Sequence, residues 1–232
     1  MLPGSPGPAA DGVPAGPRQR AADEGPAGPR DPGTRAPSAS AEPSADGAVD
    51  GLCYPLGDVV VVSGLPGSGK STLMRRTVAA LDRHGGPVLR VDSQDTRERW
   101  EAALPARLPY GLYRPLVRLA HYAGLRRALR SGAGLVVHDC GTQSWVRRWL
   151  ARHARRRGRV LHMVLLDVPP AVALDGQMAR GRGVSGYAFR RHRRAVRRLV
   201  ADAERGRLPR GCASVVLLDR PAADRLRTID FG

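Results

Sequence analysis

Val59-Val-Val-Val-Ser-Gly64-Leu-Pro-Gly67-Ser-Gly69-Lys70-Ser71-Thr72 decides how this chain is read. Four consecutive valines make a short apolar run of the kind buried on both faces of a parallel sheet. From Gly64 the residues satisfy G-x-x-x-x-G-K-[ST], and an amphipathic helical pattern over 72–81 follows. Glycines let the backbone bend closely round an anion, and successive N–H groups then point inward. The positive end of the following helix adds to that field. Lys70 can reach the outer phosphates as a compact charge, and Ser71 offers a hydroxyl to Mg²⁺. Gly64, Leu65, Pro66, Gly67, Ser68, Gly69, Lys70, Ser71 and Thr72 are therefore the expected nucleotide-binding segment.

Lys70 stands out for a second reason. The chain has a formal net charge of +17, but 37 of its 38 basic residues are Arg; it has one Ile and no Asn. That pattern is the imprint of a GC-rich coding sequence, so basicity alone says little about partners. Arg is a planar fork and Lys a point charge, and a site shaped for the latter does not accept the former. The single Lys sits at the one position where Arg would fail.

Residues 1–54 carry ten of the twenty prolines and show almost no apolar periodicity. Such a segment buries too little surface to offset its ordering entropy, so it is expected to be a disordered tail ahead of a domain over 55–232. The start of the chain has neither the basic stretch nor the apolar core of a signal peptide. No apolar run reaches the length of a membrane span. Cys53, Cys140 and Cys212 are odd in number and far apart, which argues against a disulfide framework and for a cytoplasmic setting.

Beyond the tail, β-branched runs alternate with helical stretches, the signature of an α/β parallel sheet covered by helices. Strands are expected over 58–63, 87–92, 134–139, 160–167 and 213–219. Helices are expected over 71–84, 113–131, 144–157, 170–179 and 188–205. Four of the five strands run into Asp, at the edge where open α/β sheets bind ligands. A guanine-reading N-K-x-D or T-K-x-D segment is not expected, because the chain has no Asn and its single Lys is already committed to the phosphate loop. The body is also too short for the helical lid domain of a motor ATPase.

Four segments in order, GLPGSGKST, RVDSQDTRERW, LVVHDCGT and GQMARGR, carry a resemblance over about 57–220. The chain resembles the P-loop kinases of the zeta-toxin and polynucleotide-kinase-like group, the "AAA domain" ATP-binding proteins. The resemblance implies a three-layer P-loop NTPase fold with five parallel strands in the order 2-3-1-4-5. It also implies Mg·ATP and a hydroxyl-bearing acceptor.

In that group the loop after the second strand usually supplies the base that takes the acceptor's proton. Asp92 and Asp95 both compete for this role here, with Asp92 preferred at the strand tip; Asp92 can also simply cap the next helix. The usual spacing of Asp three residues before Arg is not reproduced, because position 94 is Gln94. Arg97 and Arg99 are placed to hold anions. Leu135-Val-Val-His138-Asp139 looks like a Walker B strand, which would set Asp139 near Mg²⁺. Arg180 and Arg182, between glycines, suit a lid that closes on the transferring phosphoryl group.

Residues 104–130 should supply part of the acceptor pocket, with Tyr110, Tyr113, Arg114, Arg118, His121 and Tyr122. Arginines crowd the helices over 144–157 and 188–205, yet no aromatic stacking series or helix-turn-helix pattern is visible beside them. Nucleic acid is accordingly possible but not favoured as a partner. The leading expectation is a kinase moving the γ-phosphoryl group of ATP to a hydroxyl. The alternative is a regulatory ATPase whose basic face contacts nucleic acid or protein.

Overall fold

Alternation along Val59–Gly64 organises the molecule: Val60 and Val62 face one hydrophobic layer, Val59 and Val61 the other, and none of the four exceeds 3% exposure. The structure, a computed structural model, describes residues 40–43, 49–105, 107–138, 143–179 and 185–232. Its elements are β1 (Ser40–Pro43), β2 (Val49–Tyr54), β3 (Val59–Gly64), α1 (Lys70–Thr77), β4 (Val88–Val91), α2 (Ser93–Ala103), α3 (Tyr110–Ser131) and β5 (Gly134–His138). They continue with α4 (Ser144–Arg155), β6 (Leu161–Leu166), α5 (Pro170–Met178), α6 (Gly186–Glu204), β7 (Ser214–Leu218), α7 (Arg220–Arg225) and β8 (Thr228–Phe231).

The five-stranded sheet runs β4-β5-β3-β6-β7, with every neighbouring pair parallel. Counted within this sheet, the order is the expected 2-3-1-4-5. Each of the five expected strands is present with ends shifted by a residue or so. Leu125, Leu129, Val146 and Leu150 pack from α3 and α4 against Val59, Val61 and Leu135. On the opposite face Leu73, Met74 and Val78 meet Val60, Val62 and Val164. Phe189, Val196 and Leu199 of α6 close over Met163 and Leu165.

Besides the short helix α7 and the earlier start of α3, three features depart from the sequence reading. Helix α1 stops at Thr77 rather than running to 84, because Val78 turns extended and bridges Ile229. Helix α2 is missing from the expected helices and figures only as the element Asp92 could cap; only Thr96 is buried along it, so no apolar period announces it. A second sheet, β1-β2-β8, joins the two ends of the described chain, with β2 parallel to β8.

That second sheet moves the expected boundary at residue 54. The described residues from Ser40 to Gly232 belong to one compact unit. Leu52 and Tyr54 of β2 are about 1% exposed and pack with Ile229 and Phe231 in the layer that covers α1. A domain begun at residue 55 would lose a core strand. Gly134 explains how the layers close: a Cβ there would stand 2.8 Å from the Phe231 ring, so a side chain is excluded where the second sheet leans on β5.

If the second sheet is part of the core, Phe231→Ala should lower the unfolding free energy by about 3–5 kcal/mol, the range for removing a buried aromatic. Urea denaturation at constant m-value measures this, and a loss under about 1 kcal/mol would remove β8 from the core.

Candidate functional site

The loop between β3 and α1 is shaped by glycines in the positive-φ region, Gly67 at 86° and Gly69 at 91°. A Cβ on Gly67 would fall 2.0 Å from the Ala173 carbonyl oxygen, and one on Gly176 would fall 2.4 Å from the Gly67 oxygen. Helix α5 thus lies directly against the loop, and Gln177 Nε2 donates to the Pro66 carbonyl at 3.1 Å. Gly69 precedes α1 without a side-chain cap, and no acidic residue stands in the first turn. The N–H groups and positive dipole of that end are left for a ligand.

Lys70 is 3% exposed and donates through Nζ to the carbonyls of Gly64 at 3.1 Å and Leu65 at 2.6 Å. The Ser68 hydroxyl is buried with no partner among the described residues. Uncapped donors, a buried ammonium and an orphan hydroxyl are what the phosphate chain of ATP requires, so the residues fit that ligand. Leu65 packs into the core beside Met163, and Thr72 faces a second cavity on the other side of the loop.

Asp92 is the centre of the acidic part of the site. Its Oδ1 accepts from the Gln94 backbone N–H at 2.9 Å and lies 2.5 Å from His138 Nδ1. The Ser71 hydroxyl is near enough to favour its ionised form. Burial pushes its pKa up, but the bond to His138, that ring's charge, the Ser71 hydroxyl and the bond from Gln94 together hold it well below the usual carboxylate range. An ionised carboxylate only accepts, so His138 Nδ1 donates. Asp92 therefore caps α2 and also faces the phosphate loop.

Asp95 lies elsewhere: it is exposed and pairs with Arg75 at 3.5 Å. Arg99 bonds back to the Asp95 carbonyl and Thr96 on its own helix, whereas Arg97 stands over the Tyr110 ring at 4.0 Å. Asp139, Arg180 and Arg182 lie outside the described residues.

A cavity of about 470 Å³ opens beside Lys70 and Ser71. Tyr110, Arg114, Arg118, His121 and Tyr122 line it from α3, while Tyr113 turns into the core. His138, Gln177, Arg191 and His192 complete the wall and were given no role from the sequence. No carboxylate lines it among the described residues. Burial, and secondarily the charges of Arg191 and Lys70, depress His192. Burial also depresses His121, with His138 adding to the effect and Asp92 opposing it. The position of His138 beside Asp139 was the available signal; nothing local marked His192. The second cavity, also about 470 Å³, lies across the loop between Thr72, Val172 and Arg220.

The glycine loop with its buried lysine, at the carboxyl edge of a 2-3-1-4-5 sheet, defines a P-loop protein with the architecture of the P-loop kinases. Residues 59–207 match the family described as "AAA domain", which is more than half of the chain, and the chain belongs to that family.

Among solved structures, the fold is similar to one from the PezAT toxin–antitoxin system of Streptococcus pneumoniae. That match has a TM-score of 0.51 at 13% identity, covering 72% of this chain and 68% of that one. A gluconokinase from Sinorhizobium meliloti matches at 22% identity and TM-score 0.40, over 75% of this chain and 90% of that one. The tunicamycin resistance protein of Deinococcus radiodurans matches at 16% identity and TM-score 0.41, over 72% and 92%. Comparison with curated protein sequences gives no match. Among the described residues no helix is long and apolar enough to cross a membrane.

Two outcomes test the site. Mg·ATP at a hundred times its dissociation constant should add about 2.7 kcal/mol of stability. That corresponds to a Tm rise of roughly 5–10 °C for a domain this size, and Lys70→Ala should remove most of it. Equal rises in both proteins would overturn the assignment of Lys70. The second outcome concerns pH. Asp92 has a lower pKa folded than unfolded, so its contribution is complete above about pH 4 and is lost as pH falls through the folded value. The stability difference between wild type and Asp92→Asn should therefore shrink steadily on acidification, and a constant difference would refute the ionised assignment.

Proposed function

We propose that this protein is a phosphotransferase that moves the γ-phosphoryl group of ATP to a hydroxyl of an acceptor bound in the cavity beside Ser71. The observation that carries the reading is the ionised Asp92 held at 2.5 Å by His138, a wall residue of the cavity that Lys70 and Ser71 also line. The proton acceptor thereby stands one residue behind the wall that carries the phosphate cradle, bonded to the His138 side chain of that wall.

The residues divide the work by position. Backbone N–H groups over 67–71 and the Lys70 ammonium hold the phosphate chain, and the cavity around Val172 and Arg220 takes the nucleoside. Ser71 and Asp139 would hold Mg²⁺, which when bound supplies charge neutralisation at the phosphate oxygens. Asp92 accepts the acceptor's hydroxyl proton as that oxygen bonds to the γ-phosphorus and the bond to the ADP oxygen breaks. His138 keeps the carboxylate oriented. Arg180 and Arg182 close on the phosphoryl group as its charge spreads. Arg114 and Arg118 have no ion-pair partner among the described residues, which suits an acceptor that itself carries negative charge.

Asp92→Asn should leave ATP affinity nearly intact and lower turnover about 10²–10⁴-fold, the usual contribution of a positioned base. Asp95→Asn should change little, because Asp95 is spent on Arg75 outside the cavity. Arg180→Ala and Arg182→Ala should reduce turnover more than affinity. Labelled ATP and a panel of hydroxyl acceptors, anionic ones included, provide the assay. Hydrolysis without transfer to any acceptor, unaffected by Asp92→Asn, would replace the kinase reading with the regulatory ATPase.

A further inference from the structure

The aromatic series missing from the linear sequence is present in space, split between two helices. Trp145, Trp149 and His153 recur every fourth residue of α4 and so form one stripe, their backbone positions rising about 6 Å per step along the axis. Tyr122 of α3 joins it from across a groove. Its ring lies 5.5 Å from Trp145 and 6.3 Å from Trp149, and Trp149 in turn lies 4.6 Å from His153.

Tyr122 and Trp149 rest partly on the core below them, and a core lid would explain those two. It does not explain Trp145, which is 47% exposed, or Leu119, which is 68% exposed at the groove's edge. The groove measures about 760 Å³, and Arg126, Arg127, Arg130 and Arg156 stand along it. None of the four has an ion-pair partner, and no carboxylate lines the groove, among the described residues.

We infer that the groove between α3 and α4 is a binding site for a single-stranded polynucleotide, with bases stacked on Trp145 and its neighbours and phosphates met by the arginines. The chemistry selects this occupant. An acidic peptide would use the cations and leave the rings idle, and an apolar partner would leave four guanidinium groups uncompensated. A single strand offers flat faces and negative charges together, and aromatic platforms beside a basic groove meet both without reading sequence. A duplex hides its base faces and lacks that match. Tyr122 also lines the cavity beside Ser71, so the groove opens next to the phosphate site. The inference is independent of phosphoryl transfer, since binding is measured without ATP.

The full chain is titrated against a fluorescein-labelled oligodeoxythymidylate of about 12 nucleotides, followed by anisotropy at several salt concentrations. Trp145→Ala, at a half-exposed position and checked by an unchanged melting curve, should weaken binding about 5- to 150-fold. Arg126→Ala and Arg130→Ala should each reduce the slope of log K against log salt by about 0.7. Lys70→Ala should leave the affinity unchanged, which separates this site from the nucleotide site. Polyglutamate of similar length should bind weakly and be indifferent to Trp145→Ala. The inference is overturned if the oligonucleotide does not bind, or if Trp145→Ala leaves its affinity unaltered. Polyglutamate, duplex or anionic lipid vesicles binding as tightly, with the same dependence on Trp145, would overturn it equally.

Discussion

A lysine ammonium removed from water must be met by something, or its burial is prohibitive. Here the carbonyls of Gly64 and Leu65 meet Lys70, and they can do so only because the loop curls back over its own helix. That curl needs positive φ at Gly67 and Gly69, and it needs α5 to press on the loop so closely that neither Gly67 nor Gly176 has room for a Cβ. The rest of the edge follows from this charge. Asp92 stays ionised behind Ser71, arginines crowd the cavity, and the described wall contains no competing carboxylate. The site is built to receive negative charge, and Lys70 is already desolvated for it.

The opposite edge of the sheet carries a polar cluster of a different kind. His162, fully buried in β6, bonds to Asp58 at 3.0 Å and to Ser214 at 2.8 Å, and Asp58 also accepts from the Val160 N–H. All three elements meet there with their polar atoms satisfied, which favours one register for β3, β6 and β7. Tyr54 covers the His162 ring at 4.7 Å and links the second sheet to this cluster. Burial pushes the Tyr54 phenol upward, and its hydroxyl has no partner among the described residues. Both edges therefore collect buried polar groups. At the amino edge most are satisfied internally, whereas at the carboxyl edge Ser68, His121, His138 and His192 keep polar atoms unpaired beside open cavities.

The basic character of the surface reads differently once the chain is folded. Most arginines on α6 lie opposite its apolar stripe and need no explanation beyond solvation and a composition that favours Arg. The α3–α4 groove differs because cations and large rings share one concavity. Charge without aromatic partners indicates little; the two together describe a ligand.

The amino-acid sequence by itself determined the five parallel strands, their order through the family resemblance, and the phosphate loop. Each of these rests on local signals: valine runs between helical stretches, and a glycine-lysine spacing whose backbone chemistry is confined to a dozen residues. Only the tertiary structure decided the second sheet, because β2 and β8 come from opposite ends of the described chain and neither has the unbroken apolar run that marks β3 or β6, each being interrupted by Asp. It likewise decided which way the two carboxylates after β4 face. Asp92 turns inward because Gln94 and His138 supply its hydrogen bonds, and Asp95 turns outward to Arg75. The aromatic groove was hidden for the same reason. Tyr122 and Trp145 belong to different helices, and only packing of α3 beside α4 on one face of the sheet brings their rings within 5.5 Å.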